Sequence, residues 1–321
     1  MGAFSLITGA YYAISSLLFI PYFYVLYILT TWKLFNRQTA YWIINQICLV
    51  NVVQLVITCV AAIFEFVYGS SAGFEMAMMK NANSSWHEHR SDWRKNGLIC
   101  AATGYWYRPI YAGLLMLLAV NRLISVFGIR CTREKNVYKS LLALIWVLFI
   151  LTIIYPTIWD AGFTYRLDMN IYFSNMQSIV TTEFYITLTF CLGSLICYIG
   201  VFARYSYLRC MNNHEMTKVE AVILAQAFFA FLPIGILRCV KYFTCLRTLI
   251  ETSRVGLLIY NISYRSLPLL NLVTLLWCNP VLRRLFRMKF LGGVFNNEQD
   301  TTVWHLSPVC KARQLPPTRS P

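Results

Sequence analysis

Two arginines inside one apolar run pose the clearest chemical question in this sequence. Arg108 and Arg122 lie fourteen residues apart in the stretch 97–130, GLICAATGYWYRPIYAGLLMLLAVNRLISVFGIR. In a helix turning roughly 100° per residue, that separation returns to within about 40° of the same face, roughly 21 Å further along. A guanidinium in a bilayer core is costly and faces the bundle interior or water. This face is therefore expected to line an internal cavity, with Tyr111, Ala112, Leu115 and Ala119 between the arginines. Arg265 lies in a later apolar run. By helical rise, Arg108 is about 16 Å and Arg265 about 15 Å below the outer ends of their segments. Two guanidiniums at one depth suit a carboxylate or similar anion, which each planar fork can grip through two parallel hydrogen bonds. The competing reading is structural: Glu65 and Glu183, near the outer ends of their own segments, are also placed to pair with these arginines. Tyr107, beside Tyr105 and Trp106, is expected to floor the pocket, although aromatic residues at that level also serve as interface anchors. The candidate ligand-binding residues are thus Arg108, Tyr111, Arg265 and Tyr107.

The elements that must position these residues are membrane helices. Hydrophobic residues make up 58% of the chain and charged residues 13%, where a soluble domain carries about 25% charged residues. Repeated apolar runs within 321 residues leave room for one helical bundle and a tail, and none for a separate catalytic domain. The net charge of +15 raises nucleic acid as a partner. Its basic residues, however, sit in loops and at the ends of apolar runs, which is membrane topology. No GxxxxGK[ST], GxGxxG, HExxH or GxSxG pattern is present, so neither an enzyme nor a cofactor is expected. His87 and His89 lack further ligands and are read as solvated loop residues, with no metal site.

The fold expected is an all-α membrane protein, a bundle of seven transmembrane helices with spans at about 7–32, 41–68, 97–126, 140–159, 179–202, 219–240 and 255–277. In the second, Asn51, Thr58 and Glu65 recur every seven residues with Gln54 nearby, a polar seam turned toward other helices. Pro233 is expected to kink the sixth span. Residues 281–290 alternate Leu282, Leu285 and Phe286 with Arg283, Arg284, Arg287 and Lys289, giving a basic amphipathic helix on the membrane surface. The remainder, 291–321, is a polar tail expected to be disordered. Lysine and arginine concentrate in the connections on the tail's side, which puts the tail in the cytoplasm and the amino terminus outside. Asn83-Ser84-Ser85 is then an outer-loop glycosylation acceptor, whereas Asn261-Ile262-Ser263 lies inside a span and is discounted. Most of the eleven cysteines read as apolar core residues. Only Cys100, Cys239 and Cys245 fall near the oxidising side, where a Cys100 to Cys245 bridge is the expectation.

Seven spans, an outside amino terminus, Asn121-Arg122 at the inner end of the third span and a basic helix after the seventh together resemble the rhodopsin-like G-protein-coupled receptors, over about residues 7–290. Trp146 and Pro156 match that family's fourth-span spacing, Cys100 its third-span bridge cysteine, Pro233 its sixth-span proline and Asn51 its second-span polar position. Leu267-Pro268-Leu269-Leu270-Asn271 looks like an altered NPxxY. The chain departs from the pattern in Asn121-Arg122-Leu123, which stands for Asp-Arg-Tyr. It departs again in an outer loop, 160–178, that contains no cysteine. Asn51-Val52-Val53-Gln54-Leu55, Leu118-Ala119-Val120-Asn121-Arg122 and Cys278-Asn279-Pro280-Val281-Leu282-Arg283-Arg284 look most like the nematode serpentine chemoreceptors, class T or class X.

That resemblance implies a multi-pass plasma-membrane receptor, in a sensory cilium, for a small environmental molecule, signalling through a heterotrimeric G protein. Arg122 with Asn121 would engage the G protein, and Pro233 and Pro268 would be pivots. A seven-helix ligand-gated channel and a transporter are the alternatives. The first needs inverted topology, and the second paired broken helices.

Overall fold

The computed structural model describes residues 17–32, 35, 39–68, 87–129, 134–158, 163–166, 171–174, 177–212, 218–243 and 253–290. Among them the chain forms α1 Phe19–Thr31, α2 Thr39–Tyr68, α3 His87–Phe127, α4 Glu134–Ile158, β1 Phe163–Arg166, β2 Ile171–Ser174, α5 Gln177–Asn212, α6 Lys218–Phe243, α7 Arg254–Arg265, α8 Leu267–Cys278 and α9 Pro280–Phe290. Three stretches, Thr39–Cys59, Trp106–Phe127 and Thr181–Leu208, are long and apolar enough to cross a membrane, and Phe19–Thr31 and Leu224–Val240 are shorter apolar helices. Helices suit that setting because every internal backbone N–H finds its carbonyl within the same segment.

The molecule is turned inside out relative to a soluble protein. Leu192, Ile196 and Ile199 on α5, and Leu144, Val147, Leu148 and Leu151 on α4, face outward. Asn51, Gln54, Asn121, Glu183, Arg238 and Asn271 are buried. An apolar exterior around a partly polar interior is what a lipid solvent selects. At the centre stands α3, which packs against α2, α4, α5 and α6. Glycines let α5 approach closely: a Cβ on Gly193 would meet Met116 at 3.0 Å, one on Gly200 Leu123 at 3.0 Å, and one on Gly113 the Phe190 ring at 3.2 Å. Small residues at the seam replace a hydrophobic driving force that lipid cannot supply.

Several boundaries differ from those expected. The third helix begins at His87, ten residues before Gly97, so His87 and His89 are on a helix rather than in a loop. No proline interrupts 87–97, and a single glycine is tolerated within a helix. Its other end is set by Gly128, whose φ of 67° allows Gly128 N–H to reach the Ser125 carbonyl and Ile129 N–H the Ile124 carbonyl, each at 3.2 Å. The fourth and fifth helices begin or end beyond the expected limits, at Glu134 and Asn212. Between them, within the segment expected as a loop, β1 and β2 pair antiparallel, Phe163 opposite Ser174 and Arg166 opposite Ile171, beside α3. Among the described residues the bundle is thus helical with one short hairpin.

The seventh span is the largest departure, since it is two helices. α7 ends at Arg265 and α8 begins at Leu267, with Ser266 between. Pro268 lies in the first turn of α8. There its missing N–H breaks the hydrogen-bond ladder back to residue 264 and its ring crowds that carbonyl. Pro233 behaves differently: α6 continues through it as one helix. The amphipathic helix forms where expected. Asn279 caps it, its Oδ1 accepting Leu282 N–H at 3.0 Å, and Pro280 takes the first helical position. Leu282 and Leu285 are buried, Arg284 and Arg287 exposed, and α9 lies against α1 and α8. Asn83, Cys245 and the tail 291–321 lie outside the described residues.

Candidate functional site

Two polar networks diverge from neighbouring residues of α3. Tyr107 begins the first, which is neutral. Its hydroxyl donates to Asn51 Oδ1 at 2.8 Å, Asn51 Nδ2 donates to the Tyr22 hydroxyl at 3.2 Å, and Tyr22 donates to the Pro268 carbonyl. This chain ties α3, α2, α1 and α8 together inside the bundle. Asn51 and Tyr22 are wholly buried. Each partner satisfies the next, so no member carries the cost of an orphaned polar group in a low dielectric.

Arg108 begins the second, which is charged. Its Cζ lies 4.6 Å from the centroid of the Tyr264 ring on α7, and the Cζ of Arg238, from α6, lies 5.6 Å from the same centroid. Arg238 is in turn paired with Glu183 on α5. Thr187, one turn along, donates to Glu183 Oε1 at 3.1 Å. Glu183 and Arg238 are each 1% exposed. Four helices thus converge on one tyrosine, and the guanidiniums meet the negative face of its ring. The Tyr264 hydroxyl, in a residue 3% exposed, has no hydrogen-bond partner.

The networks grip opposite sides of one break. Tyr264 is on α7 and the Pro268 carbonyl on α8, with Ser266 between them. The charged cluster therefore holds α7, and the neutral chain holds α8.

A third group occupies the other end of α3. Arg122 Nη2 donates to Asn121 Oδ1 at 2.5 Å, and its guanidinium lies within electrostatic reach of Tyr41, Tyr138, Tyr198 and Tyr205. Nearby, Asn279 Nδ2 donates to the Tyr41 hydroxyl at 2.8 Å, which joins the start of α9 to the start of α2.

Of the expected ligand residues, Arg108 faces the charged cluster, Tyr107 belongs to the neutral chain, and Tyr111, 1% exposed, stacks on Tyr107 with ring centroids 5.5 Å apart. Arg265 closes α7, and its side chain, like those of Glu65 and Cys100, is outside the described residues. Glu183 does form a buried ion pair, but with Arg238, which the sequence reading passed over in favour of Arg108 and Arg265. The signal was present: Glu183 lies near the start of α5 and Arg238 near the end of α6, the ends that consecutive antiparallel helices bring together. Tyr22 was also missed, hidden in an aromatic run FIPYFYVLYILTT without another strongly polar residue. Thr58 is buried on the expected seam but donates to its own helix, at the Gln54 carbonyl, 2.8 Å away. Among the described residues Cys239 is a free thiol, and no group of three metal-ligating side chains occurs. No protein-family model and no curated protein matches the chain.

Proposed function

We propose that this chain is a seven-helix, G-protein-coupled chemosensory receptor in the plasma membrane, which takes a small-molecule ligand at the Arg108–Tyr264 cluster and responds at the cytoplasmic end of α3. The observation that carries this reading is the separate holding of the two halves of the seventh span. A ligand that prefers one placement of Tyr264 would shift α7 against α8, which Tyr22 keeps in register with α1 and α2. Such a ligand acts only through its difference in affinity for the two placements. In turn α8 leads directly to Asn279, Tyr41 and the amphipathic helix α9, close to Arg122. In this scheme Asn121 and Arg122 meet the G protein, Pro233 and Pro268 absorb the movement, and Asn83 carries an outer glycan. The serpentine chemoreceptor resemblance supports the same scheme through the motifs around Asn51, Arg122 and Asn279.

The test is constitutive nucleotide exchange. The full chain, expressed with a panel of Gα reporters, is expected to raise exchange on at least one of them, and Arg122→Ala to return it to background at equal surface expression. No exchange with any Gα, together with an ionic conductance that persists under a non-hydrolysable GDP analogue, would replace this reading with that of a ligand-gated channel.

A further inference from the structure

We infer that α9 is a docking site for a phosphoinositide, with Arg283 and Arg287 gripping the phosphate monoesters of its headgroup. The inference rests on the bundle lying in a bilayer and not on the receptor reading. Sequence alone makes α9 a helix that attaches to lipid through its apolar face. The structure gives that face to the protein: Leu282 and Leu285 are buried, and Val281, Phe286 and Met288 pack against the same core, where α9 meets α1 and α8. Its apolar residues thus hold it to the bundle, and its basic residues are left with another task. Arg287 is exposed and Arg283 half-buried. They stand one helical turn apart, with Cβ atoms roughly 5–6 Å from each other.

Two further observations say what meets these arginines. Along α8 runs an outward stripe, Leu270, Val273 and Trp277, of which Trp277 is 75% exposed. Tryptophan settles at the boundary between hydrocarbon and headgroups. Because α9 begins at Pro280, three residues later, its arginines stand at the level of lipid phosphates. The helices beneath them offer no acid: α1 and α8 contain neither Asp nor Glu, and the sequence has none from 252 to 297. Arg284 and Lys289 add to the positive charge of the same short helix. A basic run beside the last span attracts anionic lipid. The one-turn spacing favours a headgroup with several phosphates over phosphatidylserine. Each monoester carries a charge of about −1.5 to −2, and one inositol ring presents two of them to two guanidinium forks, each suited to a phosphate through parallel hydrogen bonds.

Native mass spectrometry of the purified full chain, released from micelles, counts the lipids it retains and needs no G protein. A phosphatidylinositol bisphosphate would be compared with phosphatidylserine at matched total charge, over a phosphatidylcholine background. One bound phosphoinositide is expected, saturable and held at least about tenfold more tightly than phosphatidylserine. Arg283→Gln with Arg287→Gln should weaken it by at least about tenfold. Lys135→Gln with Lys139→Gln, at exposed positions on α4, should leave it unchanged. Thermal unfolding in phosphatidylcholine alone checks that the α9 variant folds. Arg287→Gln by itself, at an exposed position, should weaken binding by about fivefold and serves in its place if the double variant unfolds. Equal retention of the two lipids, retention unchanged by the α9 variants, or an equal loss in the α4 variant would each overturn the site. So would soluble inositol trisphosphate binding as tightly as the lipid, which would make the ligand a free phosphate. Phosphoinositide binding by a chain that activates no Gα would leave this inference standing and remove the receptor reading alone.

Discussion

The neutral chain from Tyr107 to Pro268 and the charged cluster from Arg108 to Glu183 leave the same turn of α3, yet they solve different problems. The neutral chain joins four helices with uncharged groups, each donor matched to an acceptor. That is enough to fix helix positions in lipid, where interhelical hydrogen bonds are the ordinary adhesive. The charged cluster also joins four helices, but to do so it buries a guanidinium and a carboxylate, Arg238 and Glu183, and half-buries a second guanidinium, Arg108. Desolvating those ions costs several kcal/mol each before attraction offsets it. A molecule that already has the cheaper fastening does not need the costly one for architecture. The difference assigns the neutral chain to structure, and the proposed receptor function gives the charged cluster its use.

Breaking each network in turn sharpens that contrast, and the largest effect belongs to the ion pair. Arg238→Ala leaves the Glu183 carboxylate buried and uncompensated, and is expected to lower the unfolding free energy in lipid bicelles by about 3–5 kcal/mol. Replacing both partners, Glu183→Leu with Arg238→Leu, should restore most of that stability, because an apolar pair of similar volume avoids the desolvation cost altogether. If the double variant were as unstable as the single one, the cluster would be structural and the contrast would collapse. Asn51→Leu comes next. It removes the acceptor of the Tyr107 hydroxyl and the donor to the Tyr22 hydroxyl, and a loss of about 1–2 kcal/mol is expected in the same assay. Tyr22→Phe removes the donation to the Pro268 carbonyl and the acceptor of Asn51 Nδ2, for about 1 kcal/mol. Tyr264→Phe is the smallest, with little loss of stability expected, because the hydroxyl it removes has no hydrogen-bond partner.

The neutral network was half legible in the sequence. Asn51 announces itself as a polar residue on an inward seam of an apolar helix, since a bilayer tolerates an amide only where it finds partners. Tyr22 does not, because a tyrosine among Phe, Leu and Ile satisfies every pattern of a lipid-facing or interfacial aromatic, and only its partner 246 residues away along the chain reveals the hydroxyl's role. The cap at Asn279 was readable from Asn-Pro before an amphipathic run. The break at Ser266 was signalled by Pro268, but hydrophobic length alone reads 255–277 as one helix, because a proline in the first turn of a new helix and one inside a kinked helix leave the same trace. Pro233 shows the other outcome, with α6 unbroken. Periodicity placed Arg108 and Arg122 on one face. It could not choose the partner of Glu183, because which of three arginines an acid meets depends on how helices far apart in sequence pack.

The account depends most directly on which end of α3 faces the cytoplasm. Glycosidase treatment of the full chain in microsomes, beside Asn83→Gln, together with protease access to a tag at the carboxyl terminus, reads that orientation. A glycan lost on treatment and absent from Asn83→Gln, with a tag on the cytosolic side, is the predicted result and puts Arg122 and α9 where a G protein can reach them. An unglycosylated Asn83 with the tag protected inside the lumen would contradict it, since Arg108 and Tyr264 would then face the cytosol and no outside molecule could arrive at them.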